Sequence, residues 1–189
     1  MFFSFFIWDG SKKENKAIKW ISKRRYNICF VDGFNDNQEL INRYPQTKWN
    51  DGKARKILNN IYMLERGEIF NIEGNSFFAF GGGESLECES SPDMQENKLP
   101  SYSDMENGIN NLDSIKNSVD YIISHEAPSK IKLFINMENN EVDHLNTYLD
   151  SIRENTKFKQ WYIGKYHSNK IISPCYHLLF TDVVKINPK

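Results

Sequence analysis

Short apolar runs punctuate this chain and amphipathic stretches separate them. The runs YNICFVDG (26–33), VDYIIS (119–124) and WYIG (161–164) gather β-branched and aromatic residues and stop at Asp32-Gly33, His125 and Gly164. Such runs, bounded by turn formers, predict strands buried on both faces. Between them the apolar spacing turns helical. Ser11 or Asp9 caps a predicted helix running to about Lys23 with Ala17, Ile18 and Ile21 on one side, 36–44 form a short helix halted at Pro45, and 143–156 form another. Ser103 and Glu106 read as a capping box for a helix through about Lys116. The segment IYMLERGEIFNIEGNSFFAFGGG (61–83) offers two or three strands with turns at Arg66-Gly67 and Glu73-Gly74-Asn75, and YHLLFTDVVKI (176–186) offers a final strand or hairpin. Alternating strands and helices predict an α/β fold with sheets sandwiched by helices.

Composition narrows the setting. At 189 residues and 39% hydrophobic, the chain is expected to form one domain over 1–189. No apolar run reaches the roughly 18 to 20 residues that cross a bilayer, and the opening MFFSFFIW lacks the basic flank of a signal peptide, so a cytoplasmic protein without membrane contact is expected. Cys29, Cys88 and Cys175 form no CxxC pair, which supports neither a disulfide framework nor a zinc knuckle.

The net charge of −1 conceals a segregation: residues 1–66 carry +6, residues 67–150 carry −12 and residues 151–189 carry +5. Basic ends attract phosphates or nucleic acid, and an acidic middle suits a basic protein partner; the alternative is a solvated surface. Lys23-Arg24-Arg25 and the cluster at 53–56, near Trp49 and Tyr44, read either as a platform for single-stranded nucleic acid or as solvated loops. Half of that acidic excess falls in a loop at about 84–106, expected to be mobile and equally able to dock on a basic partner or merely to solubilise.

Candidate chemistry gathers where strands end. WYIGKYH (161–167) presents Lys165, Tyr166 and His167 after a buried strand, and His125 ends another, the edge at which open α/β sheets place their sites. The competing reading of Lys165 and His167 is a solvated turn. His144 and His177 read as structural or exposed. Gly81 to Gly83 lack a following GK[ST], so they predict a tight turn and not a phosphate loop.

Taken together, VDGFNDN (31–37), YIISHEAP (121–128) and WYIGKYHSNK (161–170) resemble the three later motifs of the calcineurin-like metallophosphoesterases, in which strands end in Gly-Asn-His-Asp/Glu, in a single His and in Gly-His-X-His. The flanking text RGEIFNIEGNSFFAFGGGES and LNTYLDSIRENTKFKQWYIGKYH is similar to a bacterial branch of that family, so the resemblance covers most of the chain. It implies paired mixed sheets flanked by helices, with two divalent metals at the strand ends that clamp a phosphate and activate water. The sequence departs from the pattern in several places. The first strand region with its Asp-X-His is lacking, Phe2 and Phe3 stand near the position of the Gly-Asp motif, Phe34 and Asn35 replace Asn and His, and Lys165 replaces the first His of the last motif.

Asp36, His125 and His167 are therefore the catalytic candidates, His125 and His167 the residual metal positions, and Asn35, Lys165 and His167 the candidate ligand-binding residues, with Asp32 a supplement. The leading expectation is a catalytically impaired relative that binds a protein partner or a phosphate-bearing or nucleic-acid ligand without a cofactor. The alternatives are a phosphodiesterase or nuclease using one residual Mn, Fe or Zn ion, and an inhibitor of a host nucleic-acid defence system, anti-CRISPR-like, carried by a phage or mobile element. An open sheet edge left by the lacking strand also predicts a homodimer or a partner complex, with MFFSFFIW as its cover.

Overall fold

The computed structural model describes residues 10–83, 99–135 and 142–187, together with the backbone of Phe2–Ser4. Two mixed sheets lie face to face. The first has the order β1-β2-β5-β4-β3, built from β1 (Phe2–Ser4), β2 (Ile28–Val31), β3 (Gln46–Trp49), β4 (Gly52–Leu58) and β5 (Ile61–Leu64). The second has the order β10-β11-β9-β8-β7-β6, built from β6 (Glu68–Ile72), β7 (Asn75–Phe80), β8 (Tyr121–Ser124), β9 (Gln160–Ile163), β10 (Lys170–Ile172) and β11 (Tyr176–Leu178). Parallel pairing of β1 with β2 and of β2 with β5, and of β7, β8, β9 and β11 in turn, sends the buried strands toward one edge.

Side-chain alternation makes four layers. On β2, Cys29 and Val31 join Tyr62, Phe70, Phe77, Ala79, Ile123 and Tyr162 between the sheets, while Ile28 and Phe30 point outward to Ile18 and Ile41 on the helices α1 (Lys12–Ile21) and α2 (Gln38–Asn42). On the far side Phe78, Ile122 and Trp161 share a core with Leu112 of α3 (Tyr102–Ser114), Ile131 of α4 (Ser129–Ile135) and Leu145 and Leu149 of α5 (His144–Asn155). Both faces of these strands are consumed by packing, which is why their sequences run apolar without a gap. Among the described residues, the paired mixed sheets flanked by helices agree with the α/β sandwich read from the sequence.

Several elements differ in detail. Residues 46–58 form a hairpin whose turn, Asn50-Asp51, has φ of 46° and 76°, so the basic cluster at 53–56 lies on strand β4 and not on a loop. The capping box of α3 is Ser101 with Asp104, two residues earlier than expected, and the helix includes Asp104 and Glu106; only residues 84–98 of the acidic loop fall outside the described residues. The first sheet has its own leading strand, since Phe2–Ser4 pairs in parallel with Cys29–Val31, so the chain itself covers the edge of β2. Only β11 of the final segment is a strand, and it pairs with β10. Close approach joins the layers at Gly67 and Gly108, where a Cβ on Gly67 would lie 2.6 Å from the Gly108 nitrogen.

Candidate functional site at the strand ends

The C-terminal ends of β2, β7, β8 and β9 deliver, in that order, Asp32 with the following turn, Gly81 to Gly83, His125-Glu126 and Gly164-Lys165-Tyr166. The two sheets meet here: the Gly82 amide donates to the Asp32 carbonyl at 2.9 Å, and a Cβ on Gly81 would fall 2.0 Å from Asp32 Oδ1. Only glycine lets β7 pass so close to a buried carboxylate.

Asp32 is 1% exposed, and its charge is met inside the protein. Arg66 donates Nε to Asp32 Oδ2 at 3.1 Å and Nη2 to the same oxygen at 2.5 Å, and Gln38 Nε2 adds a bond of 2.6 Å. The same guanidinium reaches the Leu99 carbonyl at 3.2 Å and Asp104 at 3.4 Å, tying the start of α3 to the end of β2. Burial alone would lower the Arg66 pKa, but Asp32 and Asp104 outweigh it and raise it above its ordinary value. Asp36 is also buried, and its Oδ2 accepts the Gly33 amide at 2.7 Å, folding the 33–36 turn onto itself. Asn35 beside it is exposed.

At the ends of β8 and β9, Glu126 forms the centre of a second polar cluster. Its Oε2 receives the Lys165 ammonium, and its Oε1 receives the Tyr166 hydroxyl together with the Ala127 amide at 2.8 Å. The Glu126 side chain has no exposed surface, while Lys165 keeps 24% of its own. Burial pushes the Glu126 carboxyl up, but the Lys165 charge and these hydrogen bonds outweigh it and hold it below the ordinary carboxylate value. Main-chain bonds from Lys165 to the His125 carbonyl at 3.0 Å and from Gly164 to the Ser124 carbonyl at 3.2 Å lock the two strand ends in register. Ser124 completes the lock by donating to the Glu126 carbonyl at 2.6 Å and accepting from Trp161 Nε1 at 2.7 Å.

His125 lies between these clusters. Its ring packs against Gly33, where a Cβ would stand 2.9 Å from Cε1, and against Gly83, where a Cβ would stand 3.2 Å from Cδ2. The Phe34 amide approaches Nε2 at 3.5 Å, a long contact that assigns Nε2 as acceptor and the proton to Nδ1, which is buried and has no hydrogen-bond partner among the described residues. Burial pushes the imidazole pKa down to about 4, against the pull of Glu126 and with the help of Lys165. The ring is therefore neutral at neutral pH.

The sequence candidates thus divide. Asp32, Asp36, His125 and Lys165 converge on one edge, whereas His167 is exposed, holds φ at 44° and lies tilted against Phe180 with ring centroids 5.0 Å apart. His144 is exposed near Tyr102, and His177 packs edge-on against Tyr162. Among the described residues no group of three His, Cys, Asp or Glu side chains is placed to hold a metal. The donors that are present fit a metal pair poorly, since Asp32 is spent on Arg66, Asp36 on its own turn, and a lysine stands where the resemblance expects an imidazole. Sequence reasoning missed Glu126 and Arg66, and it placed Tyr166 at the strand end without giving it a role. For Glu126 the signal was a lone carboxylate directly after a buried strand, in SHEAP. No protein-family model matches this chain, and no curated protein matches it.

Proposed function

We propose that this chain is a metallophosphoesterase-like protein that binds without hydrolysing, its strand-end centre held together by internal ion pairs in place of metal ions, and that it acts by binding a protein partner. The Lys165–Glu126 pair carries this reading. An ammonium has three donors and no lone pair, so a lysine at this position supplies a positive charge to the site and cannot coordinate a cation. Because Glu126 takes that charge up, the centre is neutralised from within, which supports a structural role for Lys165 and argues against its capturing an anion from solution. The resemblance in the motifs at 31–37, 121–128 and 161–170 and the four-layer sandwich support the kinship.

A second reading, hydrolysis with a single residual metal, draws on one observation: among the described residues the buried Nδ1 of His125 has no hydrogen-bond partner, so moving its proton to Nε2 would leave a lone pair there for a cation. One experiment separates the two. Hydrolysis of an aryl phosphodiester is followed across a manganese titration for the wild type, His125→Ala and His167→Ala. The proposal expects no manganese-dependent turnover in any of them. Turnover that manganese induces and either alanine abolishes would replace it with the hydrolase reading.

A further inference from the structure

We propose that the exposed face of α1 and the turn after it form a binding site for single-stranded nucleic acid. Residues 12–25 contain seven Lys or Arg and one acidic residue, Glu14. At helical spacing, Lys12, Lys16, Lys19 and Lys23 fall on one stripe with Trp20 at its border. All five are exposed, Trp20 to 61%, and none of the four lysines joins an ion pair among the described residues. Glu14 is occupied at the other end of the helix, where its carboxylate accepts the Gly10 amide at 3.3 Å. Among the described residues the positive stripe is thus left unneutralised, and it is exposed.

Two further features choose the ligand. Arg24 lies over the Trp20 ring, 4.2 Å from its centroid, so a cation and an aromatic plane are already stacked at the surface, the combination that receives an unpaired base beside its phosphate. The turn bearing Lys23 and Arg24 is also fixed, because Asn60 Nδ2 donates to the Arg24 carbonyl at 2.9 Å and to the Tyr26 carbonyl at 3.1 Å. A membrane surface fits less well. The apolar side of α1 is already spent on the protein, with Ile18 buried against Ile28 and Ile61, so the helix has no second apolar face to lay into lipid. The stripe spans about 16 Å at 1.5 Å per residue, enough for the shortest single-strand sites of roughly 4 nucleotides.

This surface is separate from the strand-end centre, so its test stands whether or not that centre hydrolyses anything. Fluorescence anisotropy of a labelled oligothymidylate of roughly 12 nucleotides, within the single-strand range, is measured from about 50 to about 200 mM salt. The wild type is expected to bind with affinity falling steeply with salt. The triple variant Lys16→Ala, Lys19→Ala, Lys23→Ala should lower the log–log salt slope by about 2, at roughly 0.7 per lost phosphate contact. Trp20→Ala should weaken binding roughly tenfold and abolish the quenching of tryptophan emission, as expected for one lost base stack. These positions are exposed, and matching far-UV circular dichroism confirms that each variant folds. Absence of wild-type binding at the lowest salt overturns the proposal. So does binding that neither variant changes, or sedimentation with phosphatidylglycerol vesicles by a protein that ignores the oligonucleotide.

Discussion

Replacing Lys165 by Met tests the internal ion pair at its weakest point. The substitution keeps the length and apolar volume of the stem but removes the ammonium, leaving the Glu126 carboxylate with the Tyr166 hydroxyl and the Ala127 amide in a position without exposed surface. Removing one partner of a buried pair costs about 3 to 5 kcal/mol; the 24% of the Lys165 side chain open to water places this case at the lower end, about 3 kcal/mol. The loss carries a pH signature. In the wild type the Glu126 pKa is depressed, so its contribution is present above the unfolded value of 4.5 and is lost as pH falls through the folded pKa. Without Lys165 burial dominates and raises the folded pKa, so the deficit should be larger at high pH and should shrink on acidification. Adding Glu126→Gln removes the buried charge and should recover most of the loss. Urea unfolding of wild type, Lys165→Met and the double variant at mildly acidic and mildly alkaline pH measures all three effects. A Lys165→Met protein as stable as wild type at alkaline pH, or a double variant less stable than the single one, would refute the reasoning.

Other variants probe the rest of the site. His125 has its pKa pushed down to about 4 from 6.5, so between those values the unfolded chain binds a proton that the folded chain refuses; stability should fall by about 3 kcal/mol as pH drops through that window, and His125→Gln should flatten the profile in urea titrations. Arg66→Met strands the buried Asp32 with Gln38 and should cost about 3 to 5 kcal/mol in the same assay, far more than Arg25→Met on the exposed turn. Gly81→Ala puts a methyl 2.0 Å from Asp32 Oδ1 and should cost about 3 kcal/mol, whereas Gly83→Ala, with its nearest atom at 3.2 Å, should cost about 1 kcal/mol; equal thermal shifts for the two would contradict the close approach of β7 to β2.

The buried strands were legible because their chemistry is local: a strand covered on both faces must be apolar at every position, and β2, β8 and β9 read so directly. The hairpin of β3 and β4 was not, because Lys53 is exposed while Arg55 and Lys56 are half-buried charged residues, and together they break the alternation around Ala54 and Ile57. Helix α4 is seven residues long, too short to display a period. The start of α3 was read two residues late, from Ser103 and Glu106, because a second Ser-x-x-acid spacing lies just upstream at Ser101 and Asp104. The structure uses the one whose acid, Asp104, also reaches Arg66, a tertiary contact 38 residues apart that no local pattern announces. The site followed the same logic. Strand ends located His125 and Lys165, but the Glu126 that binds Lys165 is 39 residues distant, and the Arg66 that neutralises Asp32 is 34 residues distant in a segment legible only as a turn.

Calorimetric titration of Mn²⁺ into the wild-type protein near neutral pH tests the central claim, that a lysine–glutamate pair stands where the resembled family keeps its metals. No saturable heat is expected in the wild type, and none in His125→Ala. A stoichiometric Mn²⁺ isotherm in the wild type that disappears in His125→Ala would contradict it, since it would mean that the strand-end centre still assembles around a cation despite Lys165.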